Sequence, residues 1–393
     1  MSTECHSRTD EHIPGRGKDL VKALRFGRAA AVISVAALAL TACGSDNATG
    51  DTPAAEGAAS SAAGVAVSGT LTGIGASSQN SAMEAWKAGF EAMNQDAMVQ
   101  YSPDGSGAGR KAFLSGGAQF AGSDAYLKDD EMTQAMEVCG PDGALNIPAY
   151  ISPIAIAFNL GDVTELNLDA PTIAKIFTKA ITTWNDPAIA DQNEGVELPD
   201  TPITVVHRSD ESGTTENFVD YLSAAAPEVW TYEVDGAWPA DLQSENAKGT
   251  SGVVQTVTST DGAITYADAS AVGDLGKAKV KVGEEYTEIS SDAAAKAVEV
   301  ATPVEGRPEL DMSLELERDT TESGAYPVVL VSYHVYCTTY DSQETVDLVK
   351  AFGSYVISED GQAEAEASAG NAPLSATLSE KAQMAIDSIK VAS

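Results

Sequence analysis

Arg208, Ser212, Gly213 and Thr214 lie within residues 205–218, Val-Val-His-Arg-Ser-Asp-Glu-Ser-Gly-Thr-Thr-Glu-Asn-Phe, a combination suited to holding an anion. The apolar run ends at Arg208, and the hydroxyls and glycine fall in the first turn of the next helical stretch. There, unpaired backbone N–H groups and the helix dipole favour negative charge. Two upstream turns have the same build. Gly73-Ile74-Gly75-Ala76-Ser77-Ser78 follows a strand-like Val67–Leu71 and precedes Met83, Trp86, Phe90 and Met93 at helical spacing. Tyr101-Ser102-Pro103-Asp104-Gly105-Ser106-Gly107-Ala108-Gly109 follows Met98–Tyr101 and opens a helix through Lys111, Phe113 and Leu114. One such turn is explained by capping alone; three could aim amides and hydroxyls at a single tetrahedral oxyanion.

The fourth piece is an acid, Asp124, closing Phe120-Ala121-Gly122-Ser123-Asp124. An ionised carboxylate only accepts hydrogen bonds, so beside an anion it selects a ligand carrying its own proton. Hydrogen phosphate has that proton and fully ionised sulfate does not. A hydrolase would instead take Ser212 as nucleophile, His207 or His334 as base and Asp124 or Asp210 to orient it. The chain has neither a Gly-x-Ser-x-Gly elbow nor His-Glu-x-x-His, and Gly105–Lys111 misses the P-loop and dinucleotide spacings. A binding protein, not an enzyme, is expected; a receptor for sulfate or molybdate is the competing reading, and Asp124 opposes it.

These turns need strands behind them and helices in front. Short Val/Ile-rich runs (Ile154–Phe158, Ile203–Val206, Val328–Val335) alternate with helical stretches (Ala170–Thr178, Ser342–Ile357, Ser379–Ile389), an α/β pattern. The roughly 320 residues after the N-terminal region suit two domains.

The four motifs, in this order and across most of residues 68–390, resemble the PstS family, the extracytoplasmic receptors of phosphate ABC transporters. Ile181-Thr182-Thr183-Trp184-Asn185-Asp186-Pro187-Ala188-Ile189 also resembles the family's Trp-Asp-Asp-Pro-Ala-Ile stretch. The resemblance implies a phosphate-binding set of Ser77, Ser78, Ser106, Asp124, Arg208, Ser212, Gly213 and Thr214. It departs at Ser78, where the family has Phe, and at Gly107, where a second Ser is common. It implies a two-domain, type II periplasmic-binding-protein-like fold, with mixed sheets flanked by helices and the ligand cleft between domains. Domain one would be residues 68–149 and 327–393, and domain two 150–326. The implied partners are inorganic phosphate and the transmembrane permease subunits of a phosphate ABC transporter, with no cofactor.

The N-terminus agrees. Lys18, Lys22, Arg25 and Arg28 precede the apolar run Ala29–Ala42, which is too short for a bilayer span of roughly 20 residues and reads as a secretory signal over residues 1–42. Leu40-Thr41-Ala42-Cys43 resembles a bacterial lipobox, implying that Cys43 is acylated and anchors the chain on the extracytoplasmic face of the cell membrane. The long polar lead before Val21 points to Val21 as the translation start. Residues 43–67, rich in Ala, Gly, Ser and Thr, are expected to form a disordered tether.

Removing residues 1–42, with six basic and four acidic side chains, takes the formal charge from −35 to −37. Such a surface excludes nucleic acid as a partner, and anion capture must rest on local contacts, since exposed charges are screened beyond about 8 Å. Beyond Cys5 and Cys43, Cys139 and Cys337 remain and are expected to pair in an oxidising exterior, close to the domain crossings. With His207 and His334 as the remaining histidines, both in strand-like runs, no metal site is expected.

Overall fold

The structure, a computed structural model, describes residues 67–392; the expected signal peptide, the Cys43 anchor and the tether up to residue 66 lie outside the described residues. The chain runs β1 (Gly69–Gly75), α1 (Asn80–Met93), β2 (Ala97–Ser102), α2 (Ser106–Leu114), β3 (Phe120–Ser123), α3 (Asp129–Cys139) and β4 (Ala144–Phe158). A middle stretch holds β5 (Glu165–Leu168), α4 (Ala170–Phe177), α5 (Pro187–Ala190), β6 (Thr204–Arg208), α6 (Gly213–Ala225), β7 (Glu245–Ala247), α7 (Gly249–Thr258) and β8 (Ala263–Asp268). It continues through β9 (Gly276–Val282), β10 (Glu285–Thr287), α8 (Ser291–Glu299), β11 (Thr302–Pro303) and β12 (Leu314–Glu315). The chain returns with β13 (Val329–Cys337), β14 (Thr339–Tyr340), α9 (Gln343–Ile357), α10 (Glu359–Ala369), α11 (Ala376–Asp387) and β15 (Lys390–Val391).

Eleven strands form one mixed sheet whose main path is β2-β1-β3-β13-β4-β8-β6-β7, with β9 branching from β4 and carrying β5 and β10. β4 joins the halves. All fifteen of its residues are buried, as in a strand covered on both faces. Of its first ten residues all but Ala149 pair antiparallel with β13 (Val329 opposite Pro153, Cys337 opposite Ala144), and Ile154–Phe158 pair with β8. Pro148 has no N–H for the ladder, and the β4–β13 register shifts beside it, between Ser332 and Tyr333. The α/β expectation holds.

Local boundaries moved where packing overrode turn chemistry. β1 runs through Gly73 and Gly75, which were expected in the turn. A Cβ on Gly73 would lie 2.2 Å from the Phe120 ring, and one on Gly75 1.9 Å from Gly122 O, so these glycines permit close strand and side-chain contact. The turn is Ala76–Gln79. The last helix spans Ala376–Asp387, not Ser379–Ile389, because Ser375 caps it by accepting from Leu378 N–H. Cys139 and Cys337 form a disulfide with Cα atoms 4.8 Å apart. It lies at the Ala144 end of the β4–β13 ladder, at the opposite end from Val329 and Pro153.

Candidate functional site

Every residue of the expected set comes to one place, where the turns after β1, β2, β3 and β6 converge. Asp124, 3% exposed, is the centre. Its Oδ1 accepts from Ser78 Oγ at 2.6 Å and Ser332 Oγ at 2.8 Å, and its Oδ2 accepts from Thr214 Oγ1 at 3.0 Å. Its backbone N–H donates to Ser106 Oγ at 3.1 Å, and its carbonyl accepts from Asn217 Nδ2 at 2.7 Å. Burial pushes the Asp124 carboxyl up from its ordinary value, while the Ser78, Ser332 and Thr214 hydroxyls and the Arg208 charge oppose that shift.

Arg208, also 3% exposed, ends β6 with its guanidinium braced by Asp210: Nε donates to Oδ1 at 2.8 Å and Nη2 to Oδ2 at 2.5 Å. Asp210 also accepts from Gly249 N–H at 3.0 Å. Burial alone would raise the Asp210 carboxyl; the Arg208 hydrogen bond and charge, with the Gly249 N–H, outweigh it and hold the group below its usual value. Asp210 therefore steadies Arg208 and is not the cap of α6. That cap is Ser212, whose Oγ accepts from Thr215 N–H. Gly213 opens α6 against the centre: a Cβ there would lie 2.7 Å from both Asp124 Cβ and Ser106 Oγ.

Ser77 faces a residue that sequence reasoning missed. Its Oγ accepts from Thr250 N–H at 3.0 Å and is hydrogen-bonded to Thr250 Oγ1, also at 3.0 Å. Lys248-Gly249-Thr250-Ser251-Gly252 opens α7 directly after β7 with the same Gly/Ser composition as the other three. Ser332 was also missed; its only signal is a hydroxyl inside the apolar run of β13. At Gly107, where the resemblance expects a second Ser, the N–H donates to Glu211 O at 3.2 Å and a Cβ would lie 2.4 Å from the Glu211 side chain, which would have to swing away. Buried Arg110 is neutralised nearby by Glu131 at 2.9 Å and Glu211 at 3.5 Å. His207 and His334 lie in β6 and β13, and among the described residues no cluster of three His, Cys, Asp or Glu is placed to hold a metal. No described helix is long and apolar enough to cross a membrane.

A buried carboxylate ringed by hydroxyls, with a braced guanidinium and a helix N-terminus beside it, defines an oxyanion-binding protein. The chain matches the PBP superfamily domain over residues 60–360. It is 36% identical over 336 residues to phosphate-binding protein PstS 3 of Mycobacterium leprae, covering 84% of this chain and 90% of that one. It is 35% identical over 340 residues to PstS 3 of Mycobacterium tuberculosis, with the same coverage. The chain belongs to the PstS family of phosphate-binding proteins, whose members named here are binding proteins, not enzymes. Similar folds include a high affinity periplasmic phosphate-binding protein solved with phosphate (TM-score 0.65, 22% identity, 80% of this chain and 93% of that one). The phosphate binding protein of Stenotrophomonas maltophilia is another (TM-score 0.61, 21% identity, 81% and 94%). The architecture is the two-domain type II periplasmic-binding-protein fold.

Proposed function

We propose that the protein captures inorganic phosphate outside the cytoplasm and delivers it to the membrane permease of a phosphate ABC transporter. Phosphate is held by Ser77, Ser78, Ser106, Asp124, Arg208, Ser212, Gly213 and Thr214. The observation that carries this reading is the Asp124 carboxylate, an acceptor set among anion-binding groups. Arg208 supplies the charge-assisted contact, since its Nη1 has no protein acceptor among the described residues. The PstS relatives support the same ligand.

The domains are residues 68–149 with 327–393, and 150–326, and they close on the ligand. Contacts between them that support closure are Ser77 with Thr250, Thr214 with Asp124, Asp104 with Lys248 at 2.7 Å, and Lys111 with Glu211. A ligand touching both domains binds the closed form better and shifts the population toward it. Calorimetry on the mature chain is expected to give saturable phosphate binding and no comparable sulfate binding; equal affinities would sink the reading.

The lipidated Cys43 holds the protein at the cell membrane on its extracytoplasmic face, after removal of residues 1–42. Replacing Cys43 with Ser is expected to release the protein into the medium with unchanged phosphate affinity, because the acyl chains alone supply the membrane contact. Recovery of the variant in the membrane fraction would count against the anchor.

A further inference from the structure

We propose that Gln79, Ser332 and His334 are positioning residues: they form a one-way hydrogen-bond chain that saturates one oxygen of Asp124 and leaves the other to read the ligand's proton. This inference rests on the phosphate reading above. The chain runs from Tyr336 Oη to His334 Nδ1 at 3.0 Å, from His334 Nε2 to Gln79 Oε1 at 3.0 Å, from Gln79 Nε2 to Ser332 Oγ at 3.0 Å, and from Ser332 Oγ to Asp124 Oδ1 at 2.8 Å. All four residues leading to Asp124 are at most 1% exposed.

The direction follows from donor chemistry. An ionised Oδ1 can only accept, so Ser332 must spend its hydroxyl proton there and take its own hydrogen bond from the Gln79 NH₂. That turns the Gln79 carbonyl oxygen toward His334, whose Nε2 must then carry the ring proton. Nδ1 is left bare and accepts from Tyr336. Burial pushes His334 down to about 3, so the ring stays neutral and keeps one donor and one acceptor. Trp86, Phe120 and Phe352 surround the imidazole with centroids at 5.5, 5.2 and 5.9 Å and hold its orientation.

The sequence spends groups on this arrangement. Gln79 occupies the N-cap position of α1, yet its side chain makes no cap bond and points inward. Gly122 makes room for it, since a Cβ there would lie 2.4 Å from Gln79 Nε2. Ser332 sits at the β4–β13 register shift. With Ser78 also on Oδ1, that oxygen has both lone-pair sites filled. Oδ2 has Thr214 and one open site, which gives the ligand's proton one place to go.

The test compares wild type, Ser332→Ala and His334→Phe by calorimetric titration with inorganic phosphate and with sulfate at fixed pH and ionic strength. His334 is separated from the carboxylate by Gln79 and Ser332, so a merely structural role would lower stability without changing the phosphate-to-sulfate ratio. The ratio is expected to fall about tenfold or more in Ser332→Ala and about threefold in His334→Phe. Folded variants that keep the wild-type ratio would overturn the chain. Imidazole ¹⁵N shifts of ligand-free wild type give an arm that needs neither variant nor ligand: a proton on Nε2 supports the direction, and one on Nδ1 overturns it. Wild type that binds no phosphate would overturn the ligand reading, and this inference with it; a failed ratio or tautomer with intact phosphate binding overturns the chain alone.

Discussion

In the proposed phosphate site, Arg208 and Asp124 divide the work of recognising the oxyanion. Arg208 attracts and its planar fork, braced by Asp210 on one edge, is pre-aimed. Arg208→Ala is expected to lose about 2–5 kcal/mol of phosphate binding, roughly 30- to several-thousand-fold, measured by calorimetry. Binding within threefold of wild type would remove Arg208 from the site. Asp124 contributes selection instead of attraction, since sulfate would face it with negative charge against negative charge in a desolvated cleft. Asp124→Asn replaces an obligate acceptor with a group that also donates, so it should weaken phosphate and narrow its advantage over sulfate, which competition titrations on both proteins would reveal. An unchanged ratio would mean that selectivity lies elsewhere.

At the scale of elements, the site is a meeting of strand ends with helix starts. The N-terminus of α6 approaches so closely that Gly213 has no space for a methyl group beside Ser106 and Asp124. Gly213→Ala should therefore cost about 1–3 kcal/mol in the ligand-closed form, or roughly 5- to 150-fold in affinity, with little change in unfolding temperature without ligand. An equal loss of ligand-free stability would show that the contact belongs to the resting fold. This contact also marks how far the sequence was legible. Three Gly/Ser turns could be read because strand, turn and helix each leave a local pattern. Thr250 carried the same pattern and was passed over. Ser332 reaches Asp124 through the antiparallel pairing of β13 with β3, which leaves no spacing in the chain, and Gln79, next to Ser78, has no turn residue's signature of its own. The glycines of β1 were misread because a glycine that admits Phe120 looks, in one dimension, like a glycine that makes a turn.

For the whole molecule, one buried carboxyl is expected to tie folded stability to pH. Asp268 on β8 pairs opposite Ile154, and its Oδ1 accepts from Tyr150 Oη at 3.0 Å and Ser270 N–H at 3.0 Å while Oδ2 is unpartnered. Burial pushes its carboxyl up from 3.8 to about 6, against the opposing Ser270 and Tyr150 hydrogen bonds. The folded state thus holds this proton more tightly than the unfolded chain. The associated stability is fully present below the unfolded value and is lost as pH rises through about 6, a change on the order of 3 kcal/mol. Denaturant titrations between pH 4 and pH 7 should show that decline in wild type and a flatter profile in Asp268→Asn; matching slopes would clear Asp268 as the cause.

β4 passes from one half of the sheet to the other without a break, buried along its whole length and laddered first to β13 and then to β8. A joint of this kind is a leaf spring, not a loose string. Under the proposed closure on phosphate, opening would be shared as small changes of twist over several laddered residues, so the amides around Ile154 should resist hydrogen exchange even while the cleft exchanges its cargo. Motion in this protein would then be recorded at the lips of the cleft, and the pivot would be among its quietest parts.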